Sequence, residues 1–424
     1  MSIFAGLDVS DKTTHICVVD GDGVVLCRDV VATDPDVLAK WLGKHCKGLV
    51  RVVLETGPLS TFLYHGRIER DTPAICICAH HAKKALSARI NKSDVNDAES
   101  LAQLCRTGWF KAVHMKAGAT HIDRAALKIR GQLVTSRNAM ANQLRGMLKL
   151  FGLRMGMVTT PGKRRERLGA LFSQRPDLRP VFTPLIESIE ALEVQIAKTG
   201  KLLSTRASSD PICTRLMSVP GVGPMTALAF KASVEDPGRF ARSSEVGAYA
   251  GLIPRRNQSG ERDYKGHITK AGDAMLRHAL YEAANSILAR LKRPCALADW
   301  GKRLADTKGP KRARVAVARK LAVLLHKLWL SETEFCWNSP QQYEEPNART
   351  GRSRLLCRWP KQQGHSVGDI ETSTLYRLTA ITRQRQTMLQ SRPLTSKTII
   401  GDRAKTMMKA QRCEYQLDNT ILVD

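Results

Sequence analysis

Three β-rich runs joined by tight turns open the chain, and they limit what it can become. Residues 3–8 are apolar and end in an acid, residues 14–19 are rich in β-branched side chains, and residues 24–31 resume a strand after Asp20-Gly21-Asp22-Gly23. Connections this short make neighbouring strands antiparallel. An amphipathic helix follows, opened by Asp34 and Pro35, with Val37, Leu38, Trp41 and Leu42 on its apolar face. Residues 49–54 form another apolar strand, which ends at Glu55. After a second helical stretch comes a fifth strand at 74–78, and from Asp94 the apolar residues Ala98, Leu101, Ala102 and Leu104 fall at helix spacing. The order β-β-β-α-β-α-β-α predicts an α/β layer: a mixed sheet with helices on its faces.

The rest of the chain is helical in pattern. Residues 122–150 read as one long basic helix. Residues 184–203 read as a second, with Thr183 as its cap, Pro184 in first position, and Leu185, Ile189, Leu192 and Ile196 at heptad-like intervals. Such a pair serves as an antiparallel linker between two domains or as a dimer contact. Residues 218–330 form a mostly helical segment. Its last part, 301–330, holds nine Lys or Arg and one Asp, and presents either a basic binding surface or a solvated helix face. Beyond Trp337 periodicity is lost, and residues 339–424 read as a weakly folded tail. The expected division is 1–115, 116–210, 211–337 and 338–424.

Charge narrows the partner. Lys and Arg number 67 against 39 Asp and Glu, a net +28. A surplus of that size repels itself unless a polyanion neutralises it, and nucleic acid does so through its phosphates. Aromatics are only 5% of residues, which argues against a surface built on base stacking. The most apolar stretch, 315–330, is interrupted by Arg319, Lys320, His326 and Lys327, so no membrane span is expected. The first residues lack a basic region followed by an apolar run, so no export signal is expected either. Eleven cysteines without regular spacing indicate a reducing cytoplasm rather than a disulfide framework. Cys76, Cys78, His80 and His81 lie close together, but their spacing does not suit a zinc knuckle. They read instead as two cysteines on one strand face with histidines at its exit.

Four acids stand out against this plan. Asp8 ends the first strand, Glu55 ends the fourth, and Asp94 and Asp97 share one face at the start of a helix. The strand order is also that of RNase H-like folds, in which the first and fourth strands are neighbours and the following helix packs over their ends. Four carboxylates would then converge. Their repulsion is relieved by a divalent cation, and Mg²⁺ favours oxygen ligands. Taken singly, each acid also has a plainer reading, as a loop residue or a complement to a helix dipole. Turns and surfaces account for Asp11, Asp20, Asp22 and Glu99.

A second cluster lies further on. Gly221 and Gly223, in Ser218-Val-Pro-Gly-Val-Gly-Pro224, open a helix and offer backbone N–H groups to a phosphate, or simply make a tight turn. Ser259 lies in a polar loop beside Gly260, with Arg255, Arg256, Arg262, Lys265 and Lys270 around it in sequence. A serine attacking a phosphodiester needs such cations to hold the phosphate. His267 and Asp263 are near enough in sequence to be considered as its base.

Over roughly residues 1–330 these elements resemble the insertion-sequence transposases of the 110/1111 family, the DEDD transposases. The residues that carry the resemblance are Gly6-Leu-Asp-Val-Ser10, Glu55-Thr-Gly57, Lys92-Ser-Asp-Val-Asn-Asp-Ala98, Pro220-Gly-Val-Gly223, Tyr249-Ala-Gly-Leu252, Gln258-Ser-Gly260 and Gly272 to Arg277. The resemblance implies a RuvC-like domain of RNase H type, a helical coiled-coil linker and a mostly helical C-terminal domain. It implies Asp8, Glu55, Asp94 and Asp97 as a tetrad for Mg²⁺, and Ser259 as a nucleophile that forms a phosphoserine link to DNA. It also implies a guide RNA, a homo-oligomer with sites shared between subunits, and DNA contacts by Gly221, Gly223, Arg255, Arg256 and Lys270. The tail departs from the family pattern. Two other functions fit the residues: a metal-dependent junction-resolving nuclease without a covalent step, and a non-catalytic nucleic-acid-binding protein.

Overall fold

The computed structural model describes residues 2–68, 72–87, 93–158 and 160–337. The expected tail lies outside them. Strands β1 (Ile3–Val9), β2 (Thr13–Val19), β3 (Val25–Ala32), β4 (Leu49–Glu55) and β5 (Ala74–Ile77) make one five-stranded sheet in the order β3-β2-β1-β4-β5. β1, β2 and β3 are antiparallel neighbours, and β4 and β5 run parallel to β1. The first and fourth strands therefore lie side by side, as an RNase H-like sheet requires. Asp20 makes the β2–β3 turn: its Oδ1 accepts from the N–H groups of Asp22 at 3.0 Å and Val24 at 2.9 Å.

Side-chain alternation divides the sheet between two layers. Ala5, Leu7, Val52 and Leu54 pack with Leu38 and Leu42 of α1 (Pro35–His45) and with Leu63, which ends the short α2 (Ser60–Leu63). Val53 and Ile77 pack with Ala82 of α3 (Ala79–Leu86) and with Leu101, Leu104 and Cys105 of α4 (Asp94–Thr107). Gly6 lets α4 lie directly on the sheet, since a Cβ there would stand 2.3 Å from the Ala102 nitrogen and 2.4 Å from the Ala98 carbonyl oxygen. Cys78 does not belong to the strand: β5 ends at Ile77, and Cys78 is the residue from which α3 starts.

Two long helices follow, α5 (Gly118–Leu150) and α7 (Arg179–Ser208), with α6 (Pro161–Gln174) between them. They run antiparallel. Arg206 near the end of α7 pairs with Asp123 near the start of α5 at 2.6 Å, and at the other end Leu144 and Leu148 share a core with Phe182, Ile189 and the α6 residues Leu168, Leu171 and Phe172. The expected start of the second long helix is corrected. α7 begins at Arg179 with a proline in its first turn, Pro184 lies inside it, and the Thr183 hydroxyl donates back to the Arg179 carbonyl at 2.8 Å rather than capping. Burial of Leu178 and Phe182 in that distal core favours the earlier start.

The remaining elements are α8 (Pro211–Met217), α9 (Pro224–Val234), α10 (Ser244–Tyr249), the hairpin β6 (Pro254–Ser259) and β7 (Arg262–Ile268), α11 (Ala274–Arg290), α12 (Ala296–Lys308) and α13 (Pro310–Leu330). Leu216, Phe230, Leu276, Leu280, Leu321 and Leu325 are buried together at their centre.

Candidate active site

The strand register fixes where the acids stand. Leu7 lies opposite Leu54 in the parallel β1–β4 pair, so Asp8 and Glu55 follow at the carboxyl ends of neighbouring strands. Both are two residues on from positions that meet α4, Gly6 and Val53, so alternation turns them to the α4 face. Across β2, Asp8 is registered with His15, whose Nε2 is 3.7 Å from Oδ2 of Asp94. Directly opposed residues share a sheet face, so Asp8, His15 and Asp94 belong to one edge of the site. Ser93 caps α4 by accepting from the Asn96 N–H at 3.3 Å, and this sets Asp94 and Asp97 in the first turn.

Four carboxylates offer hard oxygen donors, the set that suits a divalent cation. Asp8 and Glu55 stand at strand ends on the α4 face, and Asp94 and Asp97 in the first turn of α4. Among the described residues, however, no three His, Cys, Asp or Glu side chains stand close enough to hold one metal ion. The structure thus brings Asp8, Glu55 and the start of α4 to one end of the sheet without gathering them into a ligand shell. His15 was not singled out from the sequence. Only the strand register reveals it.

Ser259 is not in a loop. It is the last residue of β6 and pairs with Arg262 across Gly260 and Glu261. Gly260 takes φ +54°, which suits the tight turn. Every residue of β6 is exposed, Ser259 included. Arg256 grips Asp263 with two hydrogen bonds, at 2.8 and 3.0 Å, and this grip holds the Asp263 carboxyl below the usual carboxylate range. Asp263 is thereby occupied as an ion-pair partner. Arg255 lies along the hairpin with Nη2 3.4 Å from the Thr269 carbonyl. Lys270 adopts φ +53° at the hairpin root, where its carbonyl accepts from Arg277 at 3.1 Å.

The two glycines before α9 differ. Gly221 has φ +77°, and a Cβ there would stand 2.7 Å from Ile287 and 2.8 Å from the Ala283 carbonyl oxygen, so close packing against α11 alone requires glycine. Gly223 precedes α9 in extended conformation with open space around it.

A third polar group joins the segment after α4 to the C-terminal helices, and no motif marks it. Lys116 is buried and donates to the Ser233 carbonyl at 2.6 Å. Burial, aided by the charges of Arg239 and Arg124, pulls its pKa down to about 8. Glu235 has φ +61°, and the Asp236 N–H bonds back to the Val234 carbonyl at 2.8 Å, a strained γ-turn. Its carboxylate accepts from the Ala117 N–H at 2.9 Å and meets His114 Nε2 at 2.6 Å. Burial would raise the Glu235 carboxyl, but the hydrogen bonds from Thr120, Ala117 and His114 hold it below its ordinary value. One lysine among so many carries no positional signal in the sequence, so only the fold distinguishes Lys116.

Comparison with known proteins matches both halves. Residues 5–152 match a family model described as transposase, and residues 213–300 match one described as the transposase IS116/IS110/IS902 family. The chain is 30% identical to a transposase for insertion sequence element IS1111A from Coxiella burnetii, over 76% of this chain and 88% of that protein. It is 28% identical to a probable family 20 transposase from Pseudomonas aeruginosa, over 57% and 73% of the two chains. A transposase for insertion sequence element IS1328 from Yersinia enterocolitica is also 28% identical, over 50% and 63%.

Proposed function

The chain belongs to the IS116/IS110/IS902 family of transposases, enzymes that cut and rejoin DNA, and from that membership we propose that it works through Ser259 on insertion-element DNA. The observation that carries this reading is the exposed Ser259 hydroxyl at the tip of a hairpin whose strands hold Arg255, Arg256, Arg262 and Lys265. The Ser259 Oγ attacks a phosphodiester phosphorus, forming a phosphoserine bond. The bridging oxygen of the cut strand leaves and takes a proton. An incoming strand hydroxyl then attacks the same phosphorus and releases the serine. Arg255, Arg262, Lys265 and Lys270 hold the non-bridging oxygens and stabilise the charge that builds there. Arg256 stays paired with Asp263 and stiffens the hairpin. The Gly223 N–H is offered to a neighbouring phosphate at the start of α9.

Asp8, Glu55, Asp94 and Asp97 would hold the divalent cation, Mg²⁺, that a DEDD domain implies. When bound, it supplies Lewis-acid polarisation of a phosphoryl oxygen. His15, between Asp8 and Asp94, orients the edge of that set. We read the chain as dividing at 1–115, 116–210 and 211–337; the sheet and the distal ends of the long helices have cores of their own, while Leu203 and Ala207 of α7 join the core of the C-terminal helices. Exposed Ile122 and Ile129 on α5 and Val194 and Leu202 on α7 support self-association along the long helices. A guide RNA follows from the family resemblance and suits the net +28.

Covalent trapping tests the reading. Labelled element-end DNA, candidate RNA and Mg²⁺ are incubated with the protein, which is then denatured. A protein–DNA adduct lost in both Ser259→Ala and Asp8→Ala is expected. Cleavage without an adduct would point instead to a junction-resolving nuclease, and activity undiminished by excess chelator would remove the tetrad assignment.

A further inference from the structure

The hairpin that carries Ser259 has almost no buried side chains, so its root must fix its position. There residues 249–253 meet residues 269–273. The Thr269 N–H donates to the Ile253 carbonyl at 2.8 Å, that of Lys270 to Gly251 at 3.2 Å, and that of Asp273 to Tyr249 at 3.3 Å. Gly272, at φ +112°, permits this approach, since a Cβ would stand 2.0 Å from the Tyr249 carbonyl oxygen.

Asp273 ties the root to two other places. Its Oδ1 caps α11, accepting from Met275 at 2.9 Å and Leu276 at 3.2 Å. Its Oδ2 accepts from Arg124 Nη1 at 2.7 Å and from the Ser233 hydroxyl at 3.0 Å. Arg124 belongs to the second turn of α5, the helix that leaves the carboxylate sheet, and it also donates to Ser233 Oγ at 3.1 Å. Ser233 is fully buried, and its carbonyl accepts from Lys116 and, at 3.2 Å, from the Tyr249 hydroxyl. The Arg124 and Asp273 side chains are only 17% and 7% exposed. Burial would raise the Asp273 carboxyl, but Arg124 and the surrounding hydrogen bonds hold it below its ordinary value. Capping α11 uses one oxygen and needs no cation. The second oxygen, engaged by a half-buried arginine from a helix about 150 residues away in sequence, does something a cap does not require.

We propose that Arg124 is a positioning residue for the serine hairpin. Through Asp273 and Ser233 it pins the root of β6–β7 to α5, and so fixes where Ser259 stands relative to the part of the chain that carries the carboxylates. The inference rests on the reading of Ser259 given above.

The full-length protein carries the test as Arg124→Ala, Arg124→Lys and Asp273→Asn, the last of which keeps a capping oxygen. Hydrogen exchange over residues 254–269 reads the anchor, and single-turnover adduct formation against DNA concentration reads its consequence. In Arg124→Ala and Asp273→Asn the hairpin amides exchange about tenfold faster while residues 3–9 are unchanged. The plateau rate of adduct formation falls about a hundredfold with the half-saturating DNA concentration unchanged, and Arg124→Lys recovers part of it. Hairpin exchange equal to wild type in both variants overturns the proposal. So does faster exchange spread evenly through the C-terminal core, which a merely structural ion pair would give. A wild-type protein that forms no adduct, but whose hairpin still loosens in the variants, would sink the Ser259 reading and leave the anchor standing. If Arg124→Ala does not fold, Asp273→Asn carries the same readouts.

Discussion

Lys116 is held where its charge is disfavoured, and this gives the protein a distinctive pH response. Its pKa in the fold is about 8 against 10.5 for an ordinary lysine. Between those values the unfolded chain binds more protons than the folded one, so this residue makes stability rise with pH across that window. Below the folded pKa the gain is absent, and the cost of the buried charge is carried in full. The 10.5-to-8 difference corresponds to about 3 kcal/mol. Replacing Lys116 by Met removes the charge, while Tyr249 and Arg239 still donate to the Ser233 carbonyl. Urea unfolding at about pH 7 and about pH 10 checks this. Lys116→Met is expected to be at least as stable as wild type at the lower pH, and wild type should gain on it by about 2.5 kcal/mol at the higher, most of the full difference. A stability difference that stays constant with pH would show that the lysine is not held as described.

Elements whose two faces differ are the ones a sequence reveals. The first five strands were legible because apolar runs and Gly-Asp turns bound them, and the strand-end acids could be placed from that pattern alone. The β6–β7 hairpin was not, because Arg255-Arg-Asn-Gln-Ser259 is exposed on both faces and shows no alternation. The start of α7 was misplaced for a different reason. A proline at 184 imitates a first-turn signal, and the long-range burial of Leu178 and Phe182 overrides it. The polar junction at Lys116, Ser233 and Asp273 is a tertiary arrangement, built from residues distant in sequence, and periodicity is silent about it. Gly6 shows the reverse case, a motif residue whose reason is an element contact. Gly6→Ala places a Cβ against the α4 backbone, not against a side chain that can turn away. Overpacking of this kind costs about 1–3 kcal/mol. Because α4 carries Asp94 and Asp97, the loss should be local before it is global. Hydrogen exchange should rise first in Asp94–Thr107, and strand cleavage should fall more than DNA binding. Cleavage that survives intact alongside a displaced α4 would separate those acids from the chemistry.

At the scale of the whole molecule the decisive quantity is charge. A net +28 cannot be neutralised internally, because 67 Lys and Arg face only 39 Asp and Glu. No helix among the described residues is long and apolar enough to cross a membrane. The surplus is also not uniform in its availability. In the basic segment of α12 and α13, Lys320 is half-buried and turns onto the Trp300 ring at 3.8 Å. Lys302 and Arg303 on α12, and Lys308, Lys311 and Arg312 around the turn between the two helices, are exposed. Cations that face water release counterions when a phosphate replaces them, whereas packed ones do not. Binding to duplex DNA should therefore weaken about a thousandfold or more between roughly 50 and 200 mM monovalent salt. Changing Lys308, Lys311 and Arg312 together to Ala should weaken binding alike for every sequence and reduce the log–log salt slope by about one per cation removed. Lys320→Ala should leave the slope where it was and lower stability through lost packing on Trp300. Fluorescence anisotropy titrations at several salt concentrations measure all of these. A slope unmoved by the triple substitution would take the α12–α13 turn out of the DNA-binding surface, and a flat response in the wild-type protein would remove the electrostatic argument altogether.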